Sequence, residues 1–262
     1  MSRENAADIL CIGAQRAMTS WLHQAMSVHP GTWAFPGFEP VTSTSKEAHY
    51  WDWNHKRGSD WYRVLMRPLN DNLKSLDFTP EYAFLDARQI DECHRLNPSA
   101  RVIYILRDPL ARAVSALRMH TLWASKHAPA EAVSLTHDQN FLDRCRQARL
   151  WEHGAYAANL RRWRRRYPDL LVLNYEELRS HPLAGLRKVL DHCGLDWGGL
   201  DDATRATLTD RAQRRVWATP EYRLNADCLH FLHGAMWPLR EALKADTGIT
   251  FEEGDAMLEA LA

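Results

Sequence analysis

What this 262-residue sequence lacks narrows its class before any motif is read. Neither charge is in excess: Lys+Arg number 33 and Asp+Glu number 33. Net charge therefore makes no case for a nucleic-acid partner. The five cysteines (Cys11, Cys93, Cys145, Cys193 and Cys228) are odd in number and scattered, with no C-x-x-C pair. That excludes a disulfide scaffold and favours reduced thiols in a cytoplasmic protein. No apolar run approaches the ~20 residues that span a bilayer. No basic-then-apolar leader precedes the first strand, so no membrane span and no secretory signal are expected. Internal repeats, linkers and low-complexity tracts are absent too.

What is present is a core-forming composition, 45% hydrophobic, and a length suited to one domain over 1–262. The 11 tryptophans serve packing, or line a hydrophobic or sugar-acceptor pocket. Apolar β-branched residues over 8–13 predict a first strand, and helical spacing over 19–29 a first helix. Residues 31–45, rich in Gly, Pro, Ser and Thr, read as loop. Residues 60–73 predict a helix with Trp61, Leu65 and Leu69 on one face and a kink or end near Pro68. A short buried strand is expected at 83–85 and a helix over 88–96. Arg101 to Leu106, RVIYIL, is the clearest strand and reads as buried on both faces. Arg107-Asp108-Pro109 then opens a helix. Further helices are expected over 140–167 (broken at Gly154), 182–193, 201–212 and 238–246, with a strand at 170–173. The cluster Arg161, Arg162, Arg164, Arg165 and Arg166 reads first as a solvated face. Strands alternating with helices predict an α/β fold: a central, mostly parallel sheet covered on both faces.

Two strand–loop–helix junctions are candidate anion sites. In ILCIGAQRAMTSWL (9–22) a strand breaks at Gly13, offers the cation Arg16, and enters a helix at Thr19-Ser20. Loop amides and a helix N-terminus converge on an anion in such a turn. The second junction carries Arg107 at the carboxyl end of RVIYIL, where ligands of open α/β sheets lie. The first loop departs from the nucleotide-triphosphate pattern G-x-x-x-x-G-K-[ST]: Met18 holds the second Gly position and Thr19 the Lys position. No Mg²⁺-holding acid follows the later strands in the expected place, which argues against a P-loop kinase.

Four segments in order carry a resemblance. Gln15-Arg16-Ala17-Met18-Thr19-Ser20 resembles a 5′-phosphosulfate loop. Lys46-Glu47-Ala48-His49-Tyr50-Trp51-Asp52 resembles a K-E-x-H-F-F-D stretch, and Arg107-Asp108-Pro109 with Arg112 and Ser115 an R-D-P-x-x-R-x-x-S segment. The stretch from Gly154 to Leu195, with Tyr156, Leu160, Trp163, Tyr175-Glu176-Glu177-Leu178 and Pro182, resembles the later core. The family is that of sulfotransferases using 3′-phosphoadenosine-5′-phosphosulfate (PAPS), closest to its glycan-type and bacterial small-molecule branch. The resemblance implies a three-layer P-loop-like fold and in-line sulfonate transfer to an acceptor hydroxyl of a saccharide, lipid or small molecule. It implies PAPS as donor, 3′-phosphoadenosine 5′-phosphate (PAP) as product, and no metal.

Residue by residue, it implies that Arg16, Ala17, Met18, Thr19, Ser20 and Trp21 hold the donor's 5′ end. Arg107 and Ser115 would hold its 3′-phosphate, with Arg211, Arg214 or Arg215 as a second contact. Glu47 is the first candidate base and His49 the second, with Arg16 offsetting charge on the leaving oxygen. Lys46, Asp52 and Phe78 would face the acceptor. Two departures stand out: Met18 replaces the loop's usual Gly, and Phe78 replaces a Lys that often precedes T-P-x-Y. They keep open a non-catalytic PAP- or PAPS-binding protein of the same fold. His230-x-x-His233 has metal-ligand types but no third ligand in the sequence pattern.

Overall fold

The computed structural model describes residues 6–37, 45–136, 141–214, 216, 222 and 224–259. In chain order the elements are β1 (Ile9–Cys11), α1 (Thr19–Met26), β2 (Thr32–Ala34), α2 (Ser59–Leu65), β3 (Lys74–Asp77), α3 (Ala87–Leu96), β4 (Arg101–Leu106) and α4 (Pro109–Ala124). There follow α5 (Pro129–Ser134), α6 (Phe141–Gln147), α7 (Leu150–Gly154), α8 (Tyr156–Arg164), β5 (Leu171–Asn174), α9 (Tyr175–Ser180), α10 (Pro182–His192), α11 (Asp202–Gln213), α12 (Ala226–Thr247) and α13 (Glu253–Glu259). Short 3-10 turns lie at His55–Arg57 and Pro80–Phe84.

The described residues cluster into two compact units. The first takes Met1–Ala14, Met18–Leu106 and Asn159–Val216; the second takes Gln15–Ala17, Arg107–Ala158 and Trp217–Ala262. The first unit holds a five-stranded sheet in the order β2-β3-β1-β4-β5, with every pairing parallel. Its helices flank the sheet, as the expected α/β three-layer class requires. Strand β4 is buried from Val102 to Leu106, so RVIYIL reads as a central strand for the reason given above. Because β1, β3 and β4 are parallel neighbours, the chain leaves all three at one end of the sheet. The second unit packs α4, α7 and α12 around Leu110, Val114, Leu117, Leu150, Leu232 and Met236.

Four expectations need correcting. Strand β2 lies inside the stretch read as loop; three residues, T-W-A, are too few to show a period. No strand forms at 83–85. Pro80 starts a 3-10 turn there, and the strand is β3, K-S-L-D. Its polarity concealed it: buried Ser75 bonds the Asp8 carboxylate, and buried Asp77 accepts from Thr79 and Tyr62. Helix α2 stops at Leu65, ahead of Pro68, and buries Tyr62 and Leu65 while Leu69 is 86% exposed. Helix α12 begins twelve residues before Pro238, capped by Asn225 accepting from the Cys228 amide, and runs through the proline. All five cysteines are free and buried. No helix among the described residues is long and apolar enough to cross a membrane.

Candidate active site

In the second unit, Arg16 Nε donates to Ser115 Oγ at 3.0 Å, and Arg107 Nη1 donates to the Arg16 carbonyl at 2.9 Å. The residues assigned to the donor's two ends, Arg16 on one side and Arg107 with Ser115 on the other, thus form one network. Arg107 also grips Glu253, Nε to Oε2 at 2.8 Å and Nη2 to Oε1 at 2.5 Å. Ser115 is placed by α4, whose start is fixed by Pro109 and by Asp108 accepting from the Ala111 amide. Arg112 is fully buried and donates to the Leu150 carbonyl at 2.6 Å, a packing contact inside this unit.

The first unit holds Gly13 and the entry to α1, two parts of the loop expected to seat an anion. Gly13 has φ +138°, and a Cβ there would meet the Pro80 carbonyl oxygen at 3.1 Å and Tyr104 at 3.3 Å. Met18 is left-handed, φ 64°, a backbone that glycine adopts at no cost. The first turn of α1 has neither a side-chain cap nor an acidic residue. Thr19 and Trp21 are buried, Ala17 is buried in the other unit, and Ser20 is half-buried. Trp21 Nε1 donates to the Ala212 carbonyl at 3.0 Å, pinning α1 to α11.

The first unit also builds the Lys46–Asp52 stretch. Asp77, at the end of β3, accepts from the Ala48 amide (3.2 Å), Thr79 (2.7 Å) and Tyr62 (2.7 Å). The His49 amide donates to Thr79 Oγ1, and Tyr50 stacks on Tyr62 at 4.6 Å. Trp163 Nε1 donates to the Tyr82 and Ala83 carbonyls, fixing the turn that carries Glu81. On this frame Lys46 Nζ bonds Glu47, His49 Nε2 lies 3.3 Å from Glu47, and His49 Nδ1 lies 2.7 Å from Asp52. Trp53, 63% exposed, stacks flat on the His49 ring at 3.5 Å.

Burial alone would lower the His49 pKa, but the hydrogen bonds it donates to Asp52 and Glu47 and the nearby carboxylate charges raise it to about 10. Burial alone would raise Glu47, but the His49 bond and the Lys46 charge hold it down at about 2. At neutral pH, then, Glu47 is a carboxylate with oxygens to accept a proton. The same contacts favour the protonated, cationic form of His49, which can donate to Glu47 and Asp52. Burial first, and the Glu47 charge second, push Glu81 up to about 7.

Glu47, His49 and Glu81 bring ligand-type atoms within 4.8 Å of one another. A metal there would have to displace the His49 proton and compete with the Lys46 ammonium for Glu47. Phe78 is fully buried and meets His23 edge-on at 5.4 Å, so it packs the core instead of facing an acceptor. Arg214 pairs with Asp210 at 2.7 Å, and Arg215 lies outside the described residues. The basic cluster on α8 and the turn after it is partly tied down: Arg162 donates to the Leu85 carbonyl and Arg166 to Asp91. Asp77, Glu81, Trp53 and Glu253 were not singled out from the sequence. The carboxylates of T-P-E-Y and of the D-F-T-P run before it were the available signal for Glu81 and Asp77.

A family model described as "Sulfotransferase family" matches residues 8–199. Heparan sulfate glucosamine 3-O-sulfotransferase 6 of Homo sapiens is 28% identical over 196 residues, covering 74% of this chain and 54% of that protein. Heparan sulfate glucosamine 3-O-sulfotransferase 3A1 of Mus musculus is 29% identical over 195 residues, 71% of this chain and 45% of that one. The chain thus spans about half the length of the curated relatives it matches. Among solved structures, a sulfotransferase from Alicyclobacillus acidocaldarius superposes with a TM-score of 0.67 at 19% identity, covering 97% of this chain and 100% of its own. A mouse sulfotransferase complexed with PAP superposes with a TM-score of 0.54 at 14% identity, covering 99% and 89%. These two likenesses show the fold, and the match over 8–199 shows the lineage: the chain belongs to the sulfotransferase family.

Proposed function

We propose that this protein moves a sulfonate group from PAPS to the hydroxyl of a saccharide, lipid or small-molecule acceptor by in-line displacement, releasing PAP. The observation that carries the reading is Glu47, held ionised between Lys46 and the His49 imidazolium at the place the family motif assigns to the base. Glu47 takes the proton of the acceptor hydroxyl as that oxygen bonds to sulfur. The bond from sulfur to the bridging phosphate oxygen breaks, and Arg16 offsets the charge left on PAP. General bases of this kind contribute ~10²–10⁴-fold. Asp52 orients His49 through Nδ1, as a third group orients a base in other proton-transfer sites.

The uncapped start of α1 supports the loop 16–20 as the seat of the 5′-phosphosulfate. Arg107 and Ser115 are assigned the 3′-phosphate by their motif. The chemistry assigned to these residues is charge neutralisation by Arg16, Lys46 and Arg107, so the reaction asks for no metal. The five buried free thiols support a reducing, cytoplasmic setting. Exposed Trp53, stacked on His49, offers a flat apolar face beside the base, which suits a saccharide or other ring-bearing acceptor.

The test is transfer of labelled sulfonate from PAPS to a panel of hydroxylated saccharides, lipids and phenols, with chelator present throughout. Product on at least one acceptor is the expected result. PAP binding without transfer to any of them replaces this reading with a donor-binding protein that does not turn over.

A further inference from the structure

We propose that Glu253 occupies the 3′-phosphate seat on Arg107, so that donor binding expels it and releases the C-terminal helix α13. The proposal rests on the reading of Arg107 as the 3′-phosphate residue. Arg107 meets both oxygens of Glu253 through two parallel bonds, 2.8 Å from Nε and 2.5 Å from Nη2. A guanidinium fork offers that edge to one oxyanion at a time. The remaining arm, Nη1, stays on the Arg16 carbonyl at 2.9 Å, so the fork is aimed before any exchange of anions.

The carboxylate is held there by built contacts on both sides of it. A Cβ at Gly254 would lie 2.4 Å from Asp108 Oδ1 and 2.6 Å from Oδ2, so the helix start presses its backbone onto that side chain. Asp255 takes two bonds from Arg240, 2.5 Å and 2.6 Å, and Arg240 also donates to the Phe251 carbonyl at 2.5 Å. Arg240 Nε stands 3.6 Å from Asp108 Oδ2. The strap from Phe251 to Asp255 is thereby fixed to α12 and to the start of α4, all within the second unit.

Charge makes the two occupants exclusive. A 3′-phosphate brings one to two negative charges to a place already holding Glu253, with Asp108 fully buried beside it. Like charges repel, and the Nε–Nη2 edge that would grip a phosphate is the one that holds Glu253. Docking of α13 and binding of a 3′-phosphorylated nucleotide are then antagonistic, and by linkage each weakens the other equally.

Calorimetric titration of PAP and of adenosine 5′-phosphate, which lacks the 3′-phosphate, tests this on three proteins. Glu253→Gln should bind PAP about three- to tenfold tighter than wild type, with adenosine 5′-phosphate affinity unchanged. Arg107→Ala should lose PAP affinity; if it does not, the 3′-phosphate assignment itself fails. Loss in Arg107→Ala together with unchanged or weaker PAP binding in Glu253→Gln overturns the latch alone. Amide hydrogen exchange on the wild-type protein needs no substitution. PAP should speed exchange over 254–259 relative to adenosine 5′-phosphate, and equal or slower exchange overturns the proposal.

Discussion

Two neighbouring residues, Glu47 and His49, shift each other's protonation in opposite directions. His49 has a folded pKa of about 10 against an ordinary 6.5, because the carboxylates around it outweigh burial. The stabilisation this gives is complete below about pH 6.5 and is lost as pH rises through about 10. Glu47 works in the opposite sense: its depressed pKa of about 2 stabilises the fold above about pH 4.5, and that contribution is lost as pH falls through about 2. Nitrogen NMR of the imidazole at about pH 8 should therefore find both His49 ring nitrogens protonated. A titration midpoint near 6.5 would contradict the assigned roles, since His49 would then be neutral and able to act as base. The motif put Glu47, His49 and Asp52 together, but which of them keeps the proton was not legible. That depends on Lys46 and Glu81, and Glu81 comes from a different turn.

At the scale of elements, the entry to α1 shows a local rule broken at the site. Met18 stands at the N-cap with φ 64° and ψ 17°, a conformation in which a side chain costs roughly 1–2 kcal/mol relative to glycine. Met18→Gly should relieve that strain, partly offset by the greater freedom of glycine in the unfolded chain. Stability should stay level or rise by about 1 kcal/mol in thermal unfolding, and PAP affinity should be kept or improved. A large loss of PAP affinity would mean that the Met18 side chain itself shapes the seat. The elements that were legible are those with a full period on display: RVIYIL, the Ile90–Cys93–Leu96 face of α3, and the Tyr156–Leu160–Trp163 stripe of α8. Those missed were β2, too short to show a period, and β3, whose buried Ser75 and Asp77 are satisfied by partners distant in sequence.

At the scale of the molecule, the class of fold followed from strands alternating with helices, and the parallel sheet has that form. The division into two units did not, because a three-residue excursion, Gln15–Ala17, assigns part of the first loop to the second unit. No composition shift marks so short a segment. The pairing of Arg107 with Glu253 was equally hidden, since 146 residues separate them and neither motif nor period links them. The family match and the motifs support the proposal of sulfonate transfer, and the assignment of Glu47 as the group that takes the proton is its central claim. Its most direct test is Glu47→Gln, assayed for sulfonate transfer from PAPS and for PAP affinity on the same preparation. The account predicts a fall in kcat of ~10²-fold or more with PAP affinity within about twofold of wild type. Undiminished turnover by Glu47→Gln would contradict it.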